Sequence, residues 1–369
     1  MKKSIVFLIA AAVLPFISSA EAAKIRIGLF VDNGAAGNGL YHLASMIEHS
    51  PQAELVLLMG QDIRDGKLKD VNVLVMPGGG SRKQCDAIGQ EHLDKVRDFL
   101  RNGGGYIGTC AGMFNVLECR LKLLPFDRYA GAGGNTATVD VEITPEGAKI
   151  LDLKPGIRKV RYSGGPVAYK FEKKDYSGNA VLLGTYQSAV SRKKEHADKF
   201  IGSAAWVYGT YGKGKIAATS FHPEYWESTQ DMMLGCFYAV SGVKLTPLFP
   251  KKNYRPVRVG MFSSYIKGPA PVRTMLELEK HPDIDLQYAM LADLNKGILK
   301  HLDILIVYTA KKNELKKSFS DSFRQRQLTE FMDNGGIILA VGDASGLLPE
   351  HKNFVKLPAD ADVKKYILK

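Results

Sequence analysis

Cysteine is scarce in this chain, with four residues, Cys85, Cys110, Cys119 and Cys236, in 369. Four thiols are too few for a disulfide scaffold, so the fold must rest on a hydrophobic core. Long apolar runs are also missing once the first residues are passed, and no later stretch reaches the length of a membrane span. The basic residues fall in short pairs and triplets and are not interleaved with aromatics, which argues against a nucleic-acid-reading surface and against nucleic acid as a partner. No His/Cys/Asp/Glu spacing calls for a metal, and no motif calls for a cofactor.

What is present begins with an address. Lys2 and Lys3 precede an apolar run from Ile5 to Ile17, and Ala20-Glu21-Ala22 follows as a small-x-small cleavage site. That is the layout of a secretory signal peptide over residues 1–22, with the mature chain starting near Ala23 in the periplasm or outside the cell. No cysteine follows the cleavage site, so no lipid anchor is expected. The formal net charge of +12 comes from dispersed lysines and arginines, which read first as solvated surface charge and second as a basic surface that attracts anionic partners.

From Lys24 to Met113 strand and helix patterns alternate. "KIRIGLF" and "AELVLLM" read as strands and "LYHLASMIEH" as a helix; "VNVLVMPGGG" is a β-branched strand running into a glycine turn. "EHLDKVRDFLRNGGG" is an amphipathic helix with a glycine stop, and "YIGTC" is a short buried strand. This alternation predicts a doubly wound α/β fold with a mostly parallel sheet, flavodoxin-like, with ligands at the carboxyl ends of the strands. Cys110 and the glycine turn both fall at that end.

The chain also repeats itself. "IRIGLF" (25–30) returns as "VRVGMF" (257–262), "DIRDGKLKDVNVLVM" (62–76) as "DLNKGILKHLDILIV" (293–307), and "VRDFLRNGGG" (96–105) as "LTEFMDNGGI" (328–337). An offset of 231 or 232 holds for all three pairs, which is the mark of a duplicated unit. The expected layout is a first domain over 23–246, a linker over 247–256 in "PLFPKKNYRP", and a smaller, truncated α/β repeat over 257–369. At that offset Cys110 corresponds to Gly342, so the copy lacks the thiol.

Two short motifs carry chemistry. In "GTCAGM" Cys110 stands between Gly108 and Gly112 where a strand turns into a helix, the setting of a nucleophile elbow. The peptide N–H groups at the helix start would favour a thiolate and stabilise an oxyanion. In "TSFHPEYW" an apolar strand ends at His222, with Glu224 two residues later, an arrangement suited to a general base and the carboxylate that orients it. Taken singly, the first motif also fits a buried structural cysteine and the second a loop histidine beside a solvated glutamate.

Together, "GTCAGM" and "FHPE" resemble the class I glutamine amidotransferase-like superfamily over about residues 24–245. Within it, "MPGGG", "NGGGYIGTCAG" and "YSGGPVAY" look closest to the domain at the N-terminus of eukaryotic biotin–protein ligases and in bacterial stand-alone proteins. The resemblance implies Cys110 as nucleophile, His222 as base and Glu224 as its orienting acid. It also implies Ala111 with Gly79 or Gly80 as oxyanion donors, and Ser163, Gly164 and Gly165 as candidate pocket residues. No biotin-ligase catalytic domain is recognisable, so biotinylation does not carry over.

The expected function is an exported cysteine-dependent hydrolase or amidotransferase-like enzyme acting on an amide or related acyl bond. The small-molecule or peptide substrate and the oligomeric state stay open. The alternative is a non-catalytic binding protein using the same pocket or the groove between the two units, for an anionic ligand. Cys85, five residues past the glycine turn, is a candidate redox partner for Cys110; Cys119, in the helix after the elbow, and Cys236, in an apolar stretch, read as buried and inert.

Overall fold

The strand "IRIGLF" is buried along its last four residues, and "VLVM" (73–76) and "GYIGT" (105–109) are buried throughout. Continuous burial without alternation is what a parallel strand covered on both faces requires. The computed structural model describes residues 23–35, 37–130, 133, 135–190, 194–264, 268–308, 319–342 and 350–368. The signal peptide expected over 1–22 lies outside the described residues.

The first unit contains β1 (Ile25–Phe30), β2 (Ala53–Leu58), β3 (Val73–Met76), β4 (Gly105–Thr109), β5 (Phe126–Arg128), β6 (Ala137–Ile143), β7 (Gly156–Tyr162), β8 (Ala168–Lys170), β9 (Ala180–Tyr186), β10 (Ala204–Tyr211) and β11 (Gly214–Thr219). They form one sheet in the order β2-β1-β3-β4-β11-β10-β9-β6-β7, with β5 and β8 paired at its side. The strands β2, β1, β3, β4 and β11 run parallel. From β10 onward the sheet continues antiparallel. The doubly wound α/β character lies in the parallel half, and the antiparallel extension brings β7 around to the end of β11.

The second unit contains β12 (Val257–Phe262), β13 (Ile284–Ala289), β14 (Ile304–Tyr308), β15 (Ile337–Val341) and β16 (Phe354–Leu357), all parallel, in the order β13-β12-β14-β15-β16. This is the order of the first five strands of the other sheet, and the registers agree: Ile27 pairs with Val73 and Val259 with Ile304. Smaller details repeat as well. Asp62 accepts from the Met59 N–H at 2.8 Å, and Asp293 from the Met290 N–H at 2.9 Å. Phe99 lies against the bare face of Gly104, and Phe331 against that of Gly336. A hollow of about 690 Å³ at the amino ends of the first unit's strands includes Lys69, Phe99 and Gly104 in its wall. The second unit has one of about 320 Å³ walled by the matching Lys300, Phe331 and Gly336. Both hollows lie at the end of the sheet opposite Cys110.

The two units pack through helix α1 (Asn38–Glu48), which meets the helix Pro269–Glu279 and β13. Glu279 is the hub: it accepts from Ser45 Oγ at 2.8 Å, meets His49 Nε2 at 3.2 Å, and accepts from the Tyr288 hydroxyl at 3.5 Å. Asn38 bonds both Ser263 and the Tyr288 carbonyl. The rings of Tyr41 and Tyr288 lie 5.1 Å apart. Met261, Val272, Met275 and Leu276 join the first unit's core across this contact. Among the described residues no helix is long and apolar enough to cross a membrane.

Candidate active site

Where β4 ends, the chain reverses at Cys110, with φ 50° and ψ −98°, and enters the helix Ala111–Val116. A non-glycine residue at positive φ costs about 1–2 kcal/mol, so the surroundings must hold it there. The Cys110 N–H donates to the Thr219 carbonyl at the end of β11, 2.7 Å away. A side chain at Gly108 would lie 2.5 Å from the Gly112 carbonyl carbon, and one at Gly112 would lie 2.1 Å from the Met76 carbonyl oxygen. Both elbow glycines are therefore demanded by close backbone passage. The buried Tyr106 hydroxyl donates to the Gly112 carbonyl at 2.8 Å and pins the first turn of the helix. In the second unit Gly342 occupies the corresponding place with φ 72°. The positive φ persists there, at the one residue type that adopts it without strain.

Beyond β11 the chain turns at Phe221 and His222. The His222 N–H donates to the Arg161 carbonyl of β7 at 2.8 Å, and ring Nδ1 meets Glu224 Oε1 at 2.8 Å. Glu224 is fully buried. Its carboxylate fits because α1 presents Gly39, where a Cβ would sit 2.3 Å from Oε1; Oε2 has no hydrogen-bond partner. Gly78 marks the meeting of the two motifs, since a Cβ there would lie 2.6 Å from His222 Cε1 and 3.6 Å from Cys110 Cβ. Burial opposes charge on His222, but the Glu224 carboxylate, the Cys110 sulfur and hydrogen bonds to both raise its pKa well above the ordinary histidine value. The geometry thus sets an imidazole and a buried carboxylate in hydrogen-bond contact, with Gly78 packed between the ring and the Cys110 side chain. Cys110 and His222 are each 5% exposed.

The glycine turn divides the two oxyanion candidates. The Gly80 N–H is taken by the Gly34 carbonyl at 2.8 Å, which removes it as a free donor. Gly79 turns at φ 132°, and Ala111 is the first residue of the elbow helix. The "SGGP" loop lies on the sulfur itself: the Cys110 thiol faces the Ser163 carbonyl at 3.5 Å. Gly165 packs so tightly that a Cβ would meet the Ser220 carbonyl oxygen at 1.8 Å, and Gly164 turns at φ 73°. All four cysteines are free thiols. Cys85 faces Asn115 Oδ1 at 3.6 Å, and burial pushes its pKa up to about 11. Cys236 is buried and its thiol is pushed up further by burial. Cys119, expected in the elbow helix and buried, stands in the turn after that helix and is half-buried.

Several residues that matter here carry no sequence signal of their own. The fully buried Gln84 donates to the Pro77 carbonyl at 2.8 Å and accepts from Asn115 Nδ2 at 2.7 Å. It thereby ties the glycine turn to the elbow helix. Tyr225 lies edge-on to His222, with ring centres 5.1 Å apart. Arg161 lies over Tyr225, with its Cζ 4.8 Å from the ring centre. His42 of α1 contacts both Tyr225 and Tyr288; burial lowers its pKa against the opposing pull of Glu224 and Glu279. Only the "H-P-E" neighbourhood of Tyr225 could have drawn attention to any of them.

Comparison with known proteins bears on the stretch that contains the glycine turn and the elbow. The family model described as biotin-protein ligase, N terminal, matches residues 63–123. This stretch is biotin–protein ligase N-terminal-like. The biotin–protein ligase of Schizosaccharomyces pombe is 29% identical over 173 residues, covering 42% of this chain and 25% of that protein. The chain thus matches about a quarter of that relative's length. Among solved structures, PurLQS from Thermotoga maritima aligns at 16% identity and a TM-score of 0.40, over 58% of this chain and 98% of that one. A cytoplasmic protein from Salmonella typhimurium aligns at 11% identity and a TM-score of 0.38, over 58% and 98%.

Two outcomes follow from the geometry. Cys110→Gly, which installs the copy's residue, is expected to be at least as stable as Cys110→Ala in denaturant unfolding, against the usual loss of about 0.5–1 kcal/mol for glycine in regular structure. An alanine variant more stable by that amount would show that the reversal stores no strain. The second concerns pH. Because the folded-state pKa of His222 is raised, its contribution is complete below the unfolded histidine value of about 6.5 and is lost as pH rises through the folded value. Glu224→Gln removes the main raising charge, so its deficit against the parent protein should be largest in mild acid and shrink in alkali. Unfolding curves across that range measure it.

Proposed function

We propose that this chain is a cysteine-dependent enzyme acting on an amide or related acyl bond, with Cys110 as nucleophile. The observation that supports it most directly is the positive φ of Cys110 beside a buried His222–Glu224 pair. A thiol has been kept where the fold itself is better served by glycine. In the proposed reaction the Cys110 sulfur attacks the carbonyl carbon, and the oxyanion forms against the N–H groups of Ala111 and Gly79. The His222 imidazolium gives its Nε2 proton to the leaving amine as the C–N bond breaks, leaving a thioester and a neutral imidazole. Water then attacks the thioester, His222 takes its proton, and the acid and free sulfur are released. Glu224 holds the Nδ1 proton and the ring orientation throughout.

A second reading, a binding protein using the same pocket, is favoured by one observation, the low exposure of Cys110 and His222, 5% each. Alkylation separates the two. In the enzyme reading iodoacetamide modifies Cys110 at pH 7 faster than Cys85, Cys119 or Cys236, and His222→Gln slows that modification by about 10²-fold, the usual weight of a paired base. Peptide mapping by mass spectrometry reads both. An unmodified Cys110, or an unchanged rate in His222→Gln, favours the binder.

Export to the periplasm or beyond the cell is part of the same proposal and rests on residues 1–22. In that setting hydrolysis is favoured over ATP-coupled amide transfer, and nucleic acid is not a proposed partner. N-terminal sequencing of the protein recovered from an expressing bacterium should find a mature start near Ala23; a start at Met1 would refute processing.

A further inference from the structure

Three cations lie on β7, and they are treated differently. Arg158 pairs with Asp231 at 3.2 Å and Lys159 with Asp140 at 3.0 Å. Arg161 has no ion pair among the described residues, and its buried Nε has no hydrogen-bond partner. The side chain is nevertheless held in place. Its Cζ sits 4.8 Å from the centre of the Tyr225 ring, and its carbonyl accepts the His222 N–H at 2.8 Å. Two residues on, the Ser163 carbonyl lies 3.5 Å from the Cys110 sulfur. The strip from Arg161 to Ser163 therefore runs beside both the base and the nucleophile, and its cation is half-buried.

A positioned, partly desolvated guanidinium without an anion is costly unless a ligand completes it. Glu224, the buried acid of this region, has Oε1 committed to His222. We infer that Arg161 is the anchor for a carboxylate on the substrate, so that the amide attacked by Cys110 belongs to an anionic, carboxylate-bearing molecule. A planar guanidinium fork matches a carboxylate in a bidentate pair. This inference rests on Cys110 being the nucleophile.

The test compares two alkylating agents that differ in charge. Iodoacetate carries a carboxylate and iodoacetamide does not, and both form the same C–S bond to Cys110 with loss of iodide. On the full chain the ratio of iodoacetate to iodoacetamide rates at Cys110 is expected to exceed that of free glutathione by about tenfold, a modest value for one charge-assisted pair. Arg161→Gln should bring the ratio down to that of glutathione, and Arg161→Lys, which keeps charge but not the fork, should leave it between the two. An unchanged ratio in Arg161→Gln overturns the carboxylate anchor while leaving the nucleophile intact. Failure of both reagents to modify Cys110 in the parent protein overturns the nucleophile, and the anchor with it. Should Arg161→Gln not fold, the parent protein decides alone: at constant ionic strength succinate should protect Cys110 from iodoacetamide and succinamide should not. Equal protection by the two, or none by either, refutes the anchor.

Discussion

The backbone of Cys110 is held at φ 50° because three chains converge on it at once. The end of β11 accepts its N–H, the helix it begins passes directly over the Met76 carbonyl, and the first turn of that helix closes on Gly108. No single one of these contacts is strong. One is a backbone hydrogen bond and two are main-chain passages too tight for a side chain, so the backbone at Cys110 is held by its neighbours' main chain and not by any partner of the thiol. The same convergence fixes where everything else must stand. His222 follows from β11 reaching the elbow, Gly78 from β3 ending beneath it, and Ser163 from the antiparallel extension that brings β7 around to the same end.

The second unit gives an internal control for that geometry. It keeps the strand order, the register and the aspartate that caps the short helix after its second strand, and it keeps a positive φ at Gly342, 72°. At the position of Cys110 the residue is glycine. Among the described residues its sheet ends with β16, and no strands match the excursion through β5 to β10.

Much of the architecture was legible because parallel strands buried on both faces leave continuous apolar runs between glycine-punctuated turns. The repeat was legible because a fixed offset survives even where residues change. The elbow and the "FHPE" loop were legible because the glycines and the proline record backbone constraints in the letters themselves. The donors at the glycine turn were less so: Gly79 and Gly80 look equivalent in sequence, and only the Gly34 carbonyl distinguishes them. Gln84, Asn115, His42 and Arg161 were not legible at all. Their roles come from meeting residues tens or hundreds of positions away, and an isolated polar side chain carries no period or spacing to reveal such a meeting. Cys119 was misplaced by extending a helix that ends at Val116.

Helix α1 separates the two units, and its two faces have unlike duties. One face leaves out a side chain at Gly39 so that Glu224 fits, while the other bears Ser45 and His49 against Glu279. The second copy is therefore constrained through its flank and not through its sheet end. An ancestral duplicate in this position is free to lose its own chemistry and still be retained as the brace of a helix that its sister cannot allow to shift. Divergence of the pair would then be uneven across the surface, rapid where the old elbow stood and slow along a seam that carries no chemistry at all.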